Sequence, residues 1–204
     1  MDGISWGAFV PAALLVSLVP GANQVLSIQH GAKYGIRSAL SGLIGRFSAF
    51  LVLACCAALG ISSILLRSST AFTIVRWVGV AYLAWLGFST LRTAGESTSP
   101  DPENEHTSAR PLRTEALTAM TNPKALLLFA VFVPQFVAHP GGWNLLIAGV
   151  AYIAIEASTA SLYIMLGRWI GKYLTELRSR KRLDQASGVA YLGMAGWLAL
   201  ERHP

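Results

Sequence analysis

Long apolar stretches alternate with short polar ones along the whole chain. Six stretches approach the roughly 20 apolar residues that a membrane-spanning helix requires. They cover residues 4–28, 38–66, 71–91, 116–137, 145–167 and 186–200. The last is short, and a buried core helix is the alternative for it. The pattern predicts an all-α, polytopic membrane protein with six transmembrane helices and the lipid bilayer as a partner.

Composition and charge agree with this prediction. The chain has a mean hydropathy of +0.51, 53% hydrophobic residues and 13% charged residues, which is too apolar for an ordinary soluble domain. The net charge of +6 does not indicate a nucleic-acid partner, because the basic residues cluster between predicted spans. By the positive-inside rule, residues 29–37, 93–115 and 168–185 form cytoplasmic loops, and both termini lie on the opposite side. If the first stretch only dips into the membrane, the chain instead begins inside.

A polar, Pro-rich and acidic loop divides the chain into two related halves. It covers residues 93–115, between three spans in residues 1–92 and three in residues 116–204. "GVAYL" stands at 79–83 and again at 188–192, and the prolines and "LG" pairs of the two halves follow in the same order. Because each unit has an odd number of spans, the second must lie inverted in the membrane. Two inverted three-helix repeats are typical of transporters whose solute site lies near the midplane.

The first span of each half contains a proline beside an asparagine. "VPGAN" places Pro20 near Asn23, and "TNPKA" places Pro123 after Asn122. Proline cannot donate the helical hydrogen bond, so Pro20 leaves the carbonyl group of Val16 without its donor. A plain kink with a capping asparagine is one interpretation. The other is a binding site, because paired helix breaks in corresponding positions mark one.

Three ionisable residues lie deep within predicted spans. Lys124 costs at least roughly 2.5 to 3.5 kcal/mol at such a depth, so either its stem extends to the interface or its charge faces a cavity and a carboxylate. The repeat register places Arg46 and Glu156 one turn apart on equivalent helix faces. Either these two neutralise each other, or Glu156 carries protons. The four histidines lack the paired spacing of a metal site, so no metal site is predicted.

The motifs together resemble the LysE/RhtB family of amino-acid exporters. The resemblance rests on "PGANQVLSIQHGAKYGIRSALSGLIG" at 20–45, "VGVAYLAWLGFSTLR" at 78–92, "NPKALLLFAVFVPQFV" at 122–137 and "GVAYLGMAGWLAL" at 188–200. It implies a bacterial inner-membrane exporter driven by the proton motive force, with no cofactor. It also implies a substrate-binding region that comprises Pro20, Gly21, Asn23, Asn122, Pro123 and Lys124. Ala22 replaces the usual second proline of the first motif, and Arg46 replaces a smaller or less basic residue, which changes the expected charge of the cavity.

The resulting hypothesis is a secondary transporter that exports an amino acid or a related small metabolite in exchange for protons. A metal-cation exporter would require more carboxylates, thiols or histidines within the membrane. A membrane enzyme would require a nucleophile or general base with partners, and no catalytic residues are predicted. The sequence leaves the solute and the coupling stoichiometry open. It also leaves open a homodimer, because the small-residue stripes fit packing within one subunit or between two.

Overall fold

The protein is built from helices. The computed structural model describes residues 3–60, 69–94, 109–138, 142–173 and 177–200. The α-helices in these ranges are α1 (Trp6–Leu18), α2 (Ala22–Ala58), α3 (Ser69–Arg92), α4 (Ala109–Thr121), α5 (Pro123–Leu127), α6 (Gly142–Tyr173) and α7 (Leu177–Leu200). Helix α5 continues as a π-helical turn, Leu128–Phe132, and a 3-10 turn, Val133–Phe136. The prediction of an all-α chain is confirmed for the described residues.

Two of the described helices are long and apolar enough to cross a membrane. These are α2 and α6. A third candidate is the pair of segments Pro111–Thr121 and Lys124–Phe136, which bends by 60° at its break. A bend of this size at a proline agrees with the predicted interruption of the fourth apolar stretch. The arrangement of six spans in two inverted repeats remains a prediction.

The three predicted cytoplasmic loops are more helical than the sequence indicated. Helix α2 runs through residues 29–37 and turns only at Gly35, whose φ of 77° is the left-handed conformation that glycine adopts readily. Helices α6 and α7 cover residues 168–173 and 177–185, and residues 174–176 lie outside the described residues. Helix α4 begins at Ala109, so residues 109–115 are also helical. The helices therefore extend beyond the apolar stretches. The sequence analysis did not predict these extensions, because polar residues at a helix end give no hydropathy signal.

Helix α2 is the centre of the fold. It packs most extensively against α6 and next against α4, while α3 and α7 pair with each other. The main hydrophobic core joins α1, α2, α5 and α6 through buried residues such as Phe9, Phe50, Phe129 and Tyr152. The start of the chain is tied to the end of the α5 continuation by an isolated bridge between Ile4 and Val137. Helix α1 and the 3-10 turn at the end of the α5 continuation therefore both contact α6.

Small residues bring α2 and α4 into close contact. The sequence predicts such contact from its Ser-x-x-x-Gly spacings, and Gly42 and Gly45 do face α4. A Cβ atom at Gly42 would lie 3.2 Å from Pro111 and 3.3 Å from Glu115, and one at Gly45 would overlap the carbonyl group of Leu112. This close approach places the α4 side chains within reach of the neighbouring α2 side chain, Arg46.

We expect the Gly45→Ala substitution to destabilise the protein by about 1 to 3 kcal/mol, because its Cβ atom would force α2 away from the α4 backbone. Thermal unfolding in detergent measures the effect. Gly193→Ala is the matched control, since a Cβ atom there would meet nothing within 4 Å. Equal melting temperatures for the two variants would contradict the close packing of α2 on α4.

Candidate functional site

The two helix breaks predicted from the sequence meet in the structure. Helix α1 ends at Leu18 and α2 begins at Ala22, with Pro20 and Gly21 between them. Helix α4 ends at Thr121, Asn122 is extended, and Pro123 begins α5. The side-chain nitrogen of Asn122 donates a hydrogen bond of 2.7 Å to Oδ1 of Asn23. The buried amide pair therefore joins the first break to the second.

Side chains satisfy the backbone groups that each break exposes. Oδ1 of Asn122 accepts a hydrogen bond of 3.0 Å from the backbone nitrogen of Lys124, which caps α5. At the first break, Oε1 of Gln24 accepts a hydrogen bond of 3.2 Å from the backbone nitrogen of Gly21. These contacts stabilise the interrupted backbone, which an apolar environment tolerates only when it is satisfied or lines a cavity.

Lys124 reaches across from the second break to the first. Its Nζ atom donates hydrogen bonds of 2.9 Å to the carbonyl oxygen of Val16 and 2.7 Å to that of Val19. The Val16 carbonyl is the group that Pro20 deprives of its helical donor, and a cation at a helix C-terminus is favourable. Within the described part of the chain, Nζ forms no ion pair with a carboxylate. The ammonium group is therefore bound by two uncharged carbonyl groups.

A cavity of about 570 Å³ opens beside Lys124. Backbone and side-chain atoms of both breaks form one wall, and apolar residues of α3, the α5 continuation and α7 form the others. Its volume falls within the roughly 300 to 1,000 Å³ of small-molecule sites. Of the predicted substrate-binding residues, Pro20, Gly21, Asn122 and Lys124 line this cavity. Asn23 lies behind them and orients Asn122.

Arg46 is fully buried behind the breaks and contacts two carboxylates. Its Nε and Nη2 atoms lie 2.9 and 2.7 Å from Oε2 of Glu115, and its Nη1 atom lies 3.4 Å from Oε1 of Glu156. Nη2 also donates hydrogen bonds of 2.6 Å to the carbonyl oxygen of Asn23 and to Ser27. The contact predicted between Arg46 and Glu156 is present, but Glu115 provides the shorter and more extensive ion pair.

The sequence analysis missed Glu115 because it assigned this residue to the end of a polar loop. Buried residues recur at intervals of three or four positions, at Pro111, Glu115, Thr118 and Asn122, and Ala119, four residues after Glu115, is buried as well. This is the spacing of one helix face. Extending the helical period of the fourth apolar stretch toward the N-terminus would have placed Glu115 on the same face as Asn122.

Glu156 lies between the Arg46 pair and the cavity. Besides Arg46, it accepts a hydrogen bond of 3.1 Å from Gln24 on Oε1 and one of 3.3 Å from Tyr152 on Oε2. It shares with Asn122 and Lys124 the wall of a second space of about 10 Å³. Such a space holds about one water molecule. Glu156 is therefore a buried acid beside a small space that shares Asn122, Lys124 and Leu128 with the wall of the larger cavity.

A second polar cluster lies near the turn in α2, and the sequence analysis assigned no role to its members. The Nζ atom of Lys33 is 2.7 Å from Oδ1 of Asp184, which is buried although it lies within a predicted loop. Gln29 contacts the same oxygen at 3.5 Å. His30 is also buried, with Nδ1 at 3.5 Å from Oε1 of Glu115. Polar contacts thus continue from Glu115 of the Arg46 cluster through His30 to the neighbouring pair of Lys33 and Asp184.

Apolar membrane-length helices, paired helix breaks and a cavity that borders the half-buried ammonium group of Lys124 are features of a membrane transport protein. The chain belongs to the LysE type translocator family, whose model matches residues 14–202. It is therefore a transporter located in a membrane and not an enzyme, and the predicted family resemblance is confirmed.

Several relatives cover nearly the whole chain. A homoserine/homoserine lactone efflux protein of Salmonella typhimurium is 27% identical over 97% of this chain and 97% of its own length. A leucine efflux protein of Enterobacter sp. is 27% identical over 96% and 95%. A Vibrio cholerae membrane protein is 30% identical over 98% of each chain. No solved structure matches the chain.

Proposed function

We propose that this protein exports amino acids or closely related small metabolites from the bacterial cytoplasm by proton antiport. The family and the efflux proteins among its relatives support export of such a solute. The observation that carries the proposal is the position of Lys124, whose ammonium group borders the cavity and, within the described ranges, donates hydrogen bonds to two carbonyl groups. A solute carboxylate supplies the direct ion-pair partner that this ammonium group lacks among the described residues.

The breaks provide complementary groups for both ends of an amino acid. The carboxylate binds the ammonium group of Lys124 beside the N-terminus of α2, where the helix dipole also favours an anion. The ammonium group of the solute binds the carbonyl oxygens of Val16 and Val19, which Lys124 occupies in this structure. In this proposal the ammonium groups of Lys124 and of the solute compete for the same two carbonyl oxygens. Binding moves its Nζ atom from the carbonyl groups to the carboxylate.

Glu156 is the proposed proton carrier. Arg46 retains Glu115 as its close counter-ion at 2.7 Å, so protonation of Glu156 leaves no unpaired guanidinium group. Glu156 is also the acid that adjoins Lys124 across the small space. A proton on Glu156 removes the negative charge that faces the site across the small space, so the solute's ammonium group binds less favourably beside the ammonium group of Lys124. Proton and solute therefore compete, as antiport requires.

The contacts between the halves support the proposed pair of inverted repeats. The first spans meet at Asn23 and Asn122, and the second spans meet at Arg46 and Glu156. The third spans, α3 and α7, approach so closely that a Cβ atom at Gly87 would lie 2.9 Å from the carbonyl oxygen of Gly188. Each helix of one half thus contacts its counterpart, as expected for two units related by a pseudo-two-fold axis. In this proposal the protein lies in the inner membrane, with both termini periplasmic.

Transport into inside-out membrane vesicles tests the proposal. Vesicles that contain the protein should accumulate a labelled amino acid when their lumen is acidic, by roughly tenfold for each pH unit if one proton exchanges for one neutral solute. A membrane potential of 100 mV adds about 2.3 kcal/mol, which sustains roughly a 40-fold gradient. Equal accumulation with and without the two gradients would exclude proton coupling, and vesicles without the protein are the control.

A further inference from the structure

The cavity beside Lys124 is almost entirely apolar outside its charged end. Its volume of about 570 Å³ leaves room for a branched or aromatic side chain beyond the two helix breaks. Besides the residues of the two breaks, the walls include Leu83, Leu127, Val131, Phe132, Met194 and Trp197. These residues come from three helical segments, so an apolar surface surrounds the space on several sides.

The polar side chains at the charged end already have partners. Nδ2 of Asn122 donates to Asn23, and its Oδ1 accepts from the backbone of Lys124. No aspartate or glutamate is among the described residues of this wall. Glu156 lines only the adjoining space of about 10 Å³, where Gln24 and Tyr152 hold its carboxylate. Among the described residues of the wall, a cationic solute side chain would therefore lack a counter-charge, and a hydroxyl group would find few partners.

We propose that this site selects amino acids with an uncharged, apolar side chain, either aliphatic or aromatic. The inference rests on the proposed export function and on the same cavity. A cationic side chain would lose its hydration without gaining a counter-charge, and a second carboxylate would compete for the one ammonium group of Lys124. A hydroxyl group would exchange bonds to water for an apolar wall. Each additional buried methylene group should strengthen binding roughly fourfold.

Competition for labelled leucine in inside-out vesicles tests this selectivity. Unlabelled alanine, norvaline and norleucine should inhibit uptake in increasing order, by up to roughly fourfold for each methylene group. Homoserine, lysine and glutamate should inhibit at least roughly tenfold less than norleucine. Homoserine or lysine inhibiting as well as norleucine would overturn the inference.

Val131→Thr tests whether the cavity wall determines this preference. The substitution adds a hydroxyl group to the wall, so the preference for norleucine over homoserine should fall several-fold. Val150→Thr is the matched control, because Val150 is comparably exposed, at 47% against 40% for Val131, but lies on α6 away from the cavity. An equal change of preference in both variants, or in neither, would contradict a role for this wall.

Uptake of each amino acid in labelled form by the same vesicles separates the two proposals. If the vesicles accumulate lysine or homoserine in response to an acidic lumen but do not accumulate leucine, amino-acid export stands and the apolar selectivity is wrong. If no amino acid in the panel is accumulated, both the export function and the selectivity are wrong. If leucine is accumulated and the order of inhibition follows side-chain length, both are supported.

Discussion

Lys124→Met should reduce transport by more than roughly 100-fold, to the level of membranes without the protein. The substitution preserves most of the length and apolar character of the side chain but removes the ammonium group. Loss of one member of a desolvated charge pair costs about 3 to 5 kcal/mol, and about 1.4 kcal/mol corresponds to tenfold. Vesicle uptake measured at equal protein abundance gives the result.

Asn23→Ala should also abolish transport, because it removes the acceptor that orients Asn122.

The control must separate substrate binding from the structural role of Lys124 at the end of α1. Lys172→Met removes an exposed lysine near the end of α6 and should leave transport unchanged. Stabilisation by leucine and by leucinamide provides a second readout, because the amide lacks the carboxylate. The normal protein should be stabilised by leucine much more than by leucinamide, and Lys124→Met should lose this difference. Normal uptake by Lys124→Met would refute the proposed site.

Glu156→Gln should abolish the response of transport to a pH gradient. The variant retains the approximate size and polarity of the side chain but cannot exchange a proton. Any remaining downhill flux should be the same with an acidic or a neutral lumen, whereas the normal protein should respond by roughly tenfold for each pH unit. Uptake in vesicles at several lumen pH values measures this dependence. Glu156→Asp should retain a response, because it keeps an ionisable group.

Glu115→Gln distinguishes the proton carrier from the fixed counter-ion. It removes the shorter partner of the buried Arg46 guanidinium group, so it should lower thermal stability more than Glu156→Gln does. The transport that remains should still respond to the pH gradient. If transport by Glu156→Gln still responded to the pH gradient and transport by Glu115→Gln did not, Glu115 would be the proton carrier and Glu156 the fixed counter-ion.

The sequence predicts the helix breaks well because their cause is local. Proline has no backbone donor wherever it lies, so Pro20 exposes the Val16 carbonyl in any helix. Placing the asparagines together required only that corresponding positions of two related halves meet. In the structure Asn122 and Asn23 are in contact, while the repeat itself remains a prediction. Lys124 borders a cavity, as the sequence suggested, but its contacts with a pair of backbone carbonyl groups were not predicted.

The sequence predicts the polar network less well because it depends on tertiary packing. Glu115 and Asp184 lie at polar ends of helices, where low hydropathy indicates a loop although the helical period continues. His30 lies in a segment that was expected to connect two spans and is instead a buried part of α2. Their burial depends on neighbouring helices, such as the close approach of α4 to Gly42 and Gly45. Local patterns do not contain that information.

The structure of the protein with a bound amino acid is the most direct test of the site between the two helix breaks. We predict that the solute carboxylate lies within hydrogen-bonding distance of the Nζ atom of Lys124. The solute ammonium group should then replace Nζ at the carbonyl oxygens of Val16 and Val19. A solute bound elsewhere, with Nζ still on both carbonyl groups, would contradict the account.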